Sequence, residues 1–160
     1  MTKNHQLRYS KYLPIDVVNG PGTRSTLFVT GCELNCRGCY NRSIRDPHSG
    51  HLLGKDMEDR IISDLNSTTV PLRGFSLLGG DALHPMNVHG ILKLVQRIVD
   101  ECPGKDIWLW TGYVLEDLTP EQVKITELVN VVVDGPFEEE RADANLIWMG
   151  STNQTIHKLR

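Results

Sequence analysis

Short apolar runs alternate along this chain with stretches whose apolar positions recur three and four residues apart. Thr26-Leu27-Phe28-Val29, Phe75-Ser76-Leu77-Leu78, Ile107-Trp108-Leu109-Trp110 and Val129 to Val133 are too short for helices and predict buried strands. Between them, Lys55 to Leu65 puts Met57, Ile61, Ile62 and Leu65 on one helical face, and Asn87 to Cys102 does the same with Val88, Ile91, Leu92, Val95, Ile98 and Val99. Asn87 is the expected N-cap of that second helix, and Gly90 weakens its first turns by about 1 kcal/mol relative to Ala. Thr119-Pro120-Glu121 opens a short third helix with Pro at its first position. Upstream, an entry strand carrying Ile15, Val17 and Val18 leads into a tight turn at Asn19-Gly20-Pro21-Gly22. Near the other end, Leu146 to Met149 predicts a shorter extended piece before the tail.

Strands alternating with helices require a parallel sheet, because parallel neighbours need right-handed crossover connections. Four or five such units are too few to close an eight-stranded barrel, which takes ~250 residues. The expected fold is therefore α/β, an open partial (βα) barrel with a mostly parallel sheet, formed by residues 1–160 as one domain. Four motifs fall at the carboxyl ends of the four strands: the cysteines after the first, Gly79-Gly80-Asp81 after the second, Thr111-Gly112-Tyr113 after the third and Asp134-Gly135-Pro136-Phe137 after the fourth. Ligands bind at that edge in parallel α/β folds, so the four segments are expected to converge on one site.

The cysteines name the chemistry. Cys32, Cys36 and Cys39 are spaced C-x3-C-x2-C, and closed structural sites normally take four ligands, whereas three leave a position open for reaction. A zinc site completed by His48 or His51 is the competing assignment, although neither histidine has ligand-like spacing. Cys102 reads as a small buried thiol. At 39% hydrophobic and 23% charged the chain fits a globular domain, and a net charge of -3 gives no reason to expect nucleic acid. Residues 1–14 lack the apolar core of a signal peptide, and no run reaches membrane-spanning length, so a cytoplasmic protein without a membrane partner is expected. His5, His84, His89 and His157 form no pattern that points to a site.

Gly31 to Asn41 resembles the cluster loop of radical S-adenosylmethionine enzymes, and its GC-x3-C-x-GCYN form is similar to that of the activators of anaerobic ribonucleoside-triphosphate reductase. Many members of the wider superfamily carry an aromatic before the last cysteine; here Gly38 stands there and Tyr40 follows. The resemblance runs from the NGPG turn through Gly79-Gly80-Asp81, the WTGY at Trp110 to Tyr113 and the Asp134-Gly135 segment to Gly150-Ser151-Thr152-Asn153-Gln154. One departure is Ala82, where that family usually continues with Pro.

The resemblance implies a 4Fe-4S cluster on Cys32, Cys36 and Cys39 with its fourth iron open to the methionyl group of S-adenosylmethionine. Reductive cleavage would then release a 5'-deoxyadenosyl radical that takes hydrogen from a backbone glycine of the reductase large subunit. Gly38, Cys39, Tyr40, Gly79, Gly80, Asp81 and Asp134 are the implied cofactor contacts. Tyr40 reads nearly as well as a packing aromatic and Asp134 equally as a turn cap, and the Gly150 to Gln154 segment reads either as an adenosine contact or as a strand terminator. Arg37, Arg42, Arg45 and Lys55 read as a solvated loop or as a docking face for an acidic electron donor such as a flavodoxin. A non-catalytic metal module or an activase of the pyruvate formate-lyase type are the competing functions. A partial barrel leaves its cleft open, and a protein substrate would supply the missing wall.

Overall fold

The computed structural model describes residues 6–39 and 42–160. Its elements are β1 (Arg8–Asp16), β2 (Arg24–Val29), β3 (His51–Leu52), α1 (Lys55–Leu65), β4 (Gly74–Gly79), α2 (Val88–Glu101), β5 (Asp106–Trp110), α3 (Pro120–Thr126), β6 (Val131–Asp134) and β7 (Thr155–Lys158). The strands form one sheet in the order β3-β1-β2-β4-β5-β6-β7. Its centre, β2-β4-β5-β6, is parallel, and β1, β3 and β7 add antiparallel pairs at the two sides.

Register divides the sheet's two faces. Leu27, Leu77, Leu109 and Val132 lie in one row across the parallel strands, all buried in the main core with α1 and α2. Thr26, Ser76, Trp108 and Val131 form the row that faces the other way, because successive side chains of a strand alternate. The helices cover one face and leave the second for a smaller cluster in which Trp110, Trp148, Met149 and Ile156 pack on Trp108, Val131 and Val133. At the amino ends of the strands, Arg24 is fully buried. It donates to Ser76 Oγ at 2.7 Å and the Phe75 carbonyl at 2.9 Å and pairs with Asp106 at 2.6 Å, tying β2, β4 and β5 together far from the cysteines.

The parallel core follows the sequence reading; the sides of the sheet depart from it. The entry strand begins six residues earlier than Pro14 would suggest, at Arg8, and ends at Asp16, leaving Val17 and Val18 exposed outside it. Two register irregularities in β1 break the two-residue alternation that would have revealed it. Pro14 is tolerated because β1 is paired on both sides only at Arg8 and Tyr9. Leu146 to Met149 is not a strand: Trp148 has φ 66, and the final strand is β7, which the sequence reading left in the tail. Asn87 precedes α2 but makes no side-chain cap bond. Gly90 has a packing reason, since a Cβ there would lie 2.9 Å from the Leu7 side chain. The third helix starts with Pro120 at its first position, as expected, and carries in addition a complete capping box between Thr119 and Gln122. Among the described residues no helix is long and apolar enough to cross a membrane.

Candidate functional site

The carboxyl ends of β2, β4, β5 and β6 border one cleft of about 390 Å³. Cys32, Cys36 and Cys39 line one side, and Leu78, Trp110 and Val133 form a floor on the face the helices leave free. Gly79, Gly80, Asp81 and Gly112 come from the adjoining strand ends, and Trp148, Met149 and Gly150 form the far wall. The four segments expected to converge do so, as the common direction of the four parallel strands requires.

The cysteine loop leaves β2 through Gly31 at φ 98, a conformation that favours glycine. It is closed by chain returning beneath it: Gly31 N donates to the Ile44 carbonyl and Cys32 N to the Arg45 carbonyl, both at 2.8 Å. The Arg45 guanidinium donates to the Cys36 carbonyl at 3.2 Å and to the Asn35 side chain, so this cation holds the loop's shape. Gly38, at φ 76, lies against Glu139, and Arg37 pairs with the same carboxylate at 3.4 Å on the surface. Tyr40 lies outside the described residues.

All three thiols are half-buried, and burial pushes the Cys32 thiol up to about 11. A bound metal reverses that preference by favouring the thiolate. Among the described residues no three His, Cys, Asp or Glu side chains converge tightly enough to hold a single metal ion. His48 is exposed beside Asp46, and the His51 ring lies tilted against Tyr9 at 5.6 Å, so neither completes a zinc site with the cysteines. Three soft donors that share a cleft without meeting at one point suit a cubane, whose irons sit at separate corners.

Gly79 and Gly80 bring backbone against backbone. A Cβ on Gly79 would lie 2.3 Å from the Val29 carbonyl oxygen, and one on Gly80 would lie 2.5 Å from that of Gly31. Gly80 N donates to Val29 O at 2.8 Å and Asp81 N to Gly31 O at 2.7 Å, so the β4 end and the cysteine loop are fused. The Asp81 carboxylate is fully buried and taken by protein donors. Thr111 Oγ1 donates to it at 2.8 Å, Gly112 N at 2.8 Å and Leu83 N at 2.9 Å. Burial nevertheless lifts it to about 6, because three donors only partly replace water. Asp81 thus clamps β4 to β5, and its carboxylate is not presented to a ligand as a free acceptor.

Two roles emerge that the sequence reading lacked. Asn87 Nδ2 donates to the carbonyls of Thr30 at 2.8 Å and Asp81 at 2.9 Å, joining the exits of β2 and β4; nothing local to its sequence signals this. Tyr113 OH donates to the Glu33 carboxylate, linking WTGY to the cysteine loop, and burial, followed by this hydrogen bond, raises the phenol's pKa. Asp134 is buried, accepts from Leu115 N at 2.8 Å and lies 2.9 Å from His157 Nε2. Of its two readings the geometry favours the turn anchor, since Val133 and Gly135 line the cleft and Asp134 does not. Gln154 accepts from Gly150 N at 2.8 Å and donates to the Gly135 carbonyl at 2.9 Å, while Asn153 donates to the Pro136 carbonyl at 2.8 Å. The GSTNQ segment thereby latches the strap of residues 137–150 onto the end of β6.

Residues 18–157 match the family model described as a 4Fe-4S single cluster domain. A protein of Escherichia coli K12 named anaerobic ribonucleoside-triphosphate reductase-activating protein is 56% identical over 154 residues, covering 96% of this chain and all of that one. Proteins of the same name from Vibrio cholerae and Enterobacteria phage T4 are 54% and 41% identical, over 95% and 94% of this chain and 98% and 93% of theirs.

Proposed function

The chain belongs to the anaerobic ribonucleoside-triphosphate reductase-activating proteins, a 4Fe-4S domain family, and from that premise we propose how its cleft carries out the activation. Cys32, Cys36 and Cys39 would hold a 4Fe-4S cluster, and the cleft they line would take S-adenosylmethionine beside it. One-electron cleavage of the sulfonium, with the hydrogen-atom abstraction it powers, is the chemistry these groups supply when bound. The target is a backbone glycine of the reductase large subunit. The relatives' names favour that target over another glycyl-radical enzyme.

The observation that carries this reading is that three thiols at the end of β2 line the same cleft as Gly79, Gly80 and Asp81 at the end of β4. Gly38, Cys39, Gly79 and Gly80 offer backbone groups to the cofactor, and Tyr40 belongs to the same proposed set. Asp81 acts on the cofactor by fixing the turn that carries those groups, and Asp134 by anchoring the Gly135 turn. Leu78, Trp110, Val133 and Met149 keep water from the reacting atoms. The face of the sheet opposite the helices is the interior of an open, partial barrel of the radical S-adenosylmethionine type. Arg37, on the exposed flank of the cysteine loop, faces an acidic electron donor such as a flavodoxin. Four cysteines, three of them clustered at the site, fit a reducing cytoplasmic setting.

The test is anaerobic reconstitution with iron and sulfide, reduction, addition of S-adenosylmethionine and measurement of 5'-deoxyadenosine beside a Cys36→Ala control. Nucleoside formation that the substitution abolishes is expected. Tight zinc binding with no nucleoside under strong reduction would overturn the reading.

A further inference from the structure

Nine large apolar side chains are exposed among the described residues, and four of them fall on two segments beside the cleft. Ile15, Val17 and Val18 leave β1 on one side, 55%, 68% and 70% exposed, and Ile147 stands on the other, 67% exposed. Val18 and Trp148, the neighbour of Ile147, both line the cleft. The other five are scattered singly over β3, α2, α3, a loop and the tail, as is normal for a protein surface.

Both lips are held firmly from below. Asp16 accepts from Val18 N at 2.9 Å, Asn19 Nδ2 at 2.8 Å and Thr26 Oγ1 at 2.6 Å, and the Asn19 carbonyl accepts from Ser76 Oγ at 2.6 Å. Across the cleft, the Trp148 carbonyl accepts from Trp110 Nε1 at 2.7 Å and Gln154 grips Gly150. Buried polar groups thus fix two loops whose apolar side chains face water. Two such lips flanking a site mark an interaction surface.

We propose that these lips seat the glycine-bearing backbone segment of the reductase large subunit, with Val17 and Val18 packing on one side of the glycine and Ile147 on the other. The inference rests on the function proposed above and adds the contact surface. A Cα hydrogen is shielded by the chain on both sides of it, so it reaches a recessed cleft only if the segment lies across the mouth. The flanking residues must then touch whatever rims that mouth. The reductase subunit is the macromolecule that activation requires here, and neither a second copy nor a lipid surface would deliver a glycine.

The test uses Val17→Glu and Ile147→Glu, positions on the lips that do not line the cleft, with Leu52→Glu on distant β3 as control and Val17→Ser and Ile147→Ser as milder variants. Each reconstituted protein is assayed alone for 5'-deoxyadenosine and then, at limiting concentration, for the glycyl radical it raises on the large subunit by electron paramagnetic resonance. Both Glu variants should form the nucleoside at the wild-type rate while the radical yield falls at least tenfold, the loss expected of a buried interface contact worth about 1.4 kcal/mol. The Ser variants should fall between, and Leu52→Glu should match wild type in both assays. Wild-type radical yield from the Glu variants would overturn the docking surface, also if they merely turn a dimer into a monomer. Loss of nucleoside formation in the Glu variants would overturn it too, by assigning the lips to the cofactor. Failure of the wild type itself to form nucleoside would reject the underlying function, a result distinct from either.

Discussion

Replacing Gly80 with alanine separates two reasons for a glycine at this position. If the residue serves only to admit a ligand, the apoprotein should tolerate alanine. Gly80 does not have a positive φ, and removing backbone freedom from the unfolded chain stabilises by about 0.4–1 kcal/mol at compatible positions. The structure predicts the opposite sign. The new Cβ would lie 2.5 Å from Gly31 O and 2.8 Å from Gly31 N, roughly 0.8 Å inside ordinary contact, and the obstacle is backbone, which cannot rotate away. Relief means parting the β4 end from the cysteine loop, which stretches the bond from Asp81 N to Gly31 O, now 2.7 Å, and that from Gly80 N to Val29 O, now 2.8 Å. Each of those is worth about 1 kcal/mol, and overpacking strain adds about 1–3 kcal/mol. After the entropy gain, Gly80→Ala should be about 2–4 kcal/mol less stable in urea unfolding of the apoprotein. Because Gly31 carries Cys32 with it, iron retained after reconstitution should fall as well. An apoprotein as stable as wild type, with full iron and defective only in nucleoside formation, would refute the packing argument.

Three further outcomes follow from the same contacts. Asp81 is lifted from 3.8 to about 6, so the native state takes up a proton that the unfolded chain does not hold in that window. Wild-type stability minus that of Asp81→Asn should therefore grow as the pH falls, by roughly 1.4 kcal/mol between about pH 7.5 and pH 5, as read by urea unfolding; a flat difference would contradict the buried clamp. Gln154→Ala removes three hydrogen bonds from the strap and should raise proteolytic nicking and amide exchange within residues 137–150 while leaving α1 and α2 protected. Cys102→Ala, at a thiol buried behind α2, should cost about 1 kcal/mol of stability and leave iron content and nucleoside formation at wild-type levels.

What the sequence revealed depended on whether a residue's role was local. β2, β4, β5 and β6 are buried on both faces and announce themselves as apolar runs that end in glycine or a short polar residue. β1 is half-buried and irregular in register, and β3 is two residues long and defined only by pairing with β1, so neither has a pattern of its own. Leu146 to Met149 misleads because its apolar side chains serve the cleft wall and lip, in a segment whose shape is fixed by Trp110 and Gln154. At the site, the position of the cysteines at the carboxyl end of β2 was legible from the apolar run that precedes them. The work of Asn87, Asp81 and Gln154 was not, because each acts on backbone groups that only the fold brings within reach.

The small cluster on the sheet face opposite the helices holds all three tryptophans of the chain. Trp108 lies 5.6 Å from Trp110 and 5.9 Å from Trp148, close enough for their excited states to couple. The protein's indole emission therefore originates on the sheet face opposite the helices, from Trp110 and Trp148 in the cleft lining and Trp108 packed against both. A light-absorbing centre assembled on the cysteines would quench it by energy transfer, and movement of the strap that carries Trp148 would alter the near-ultraviolet dichroism of the trio. The molecule carries its own optical gauge of cofactor loading.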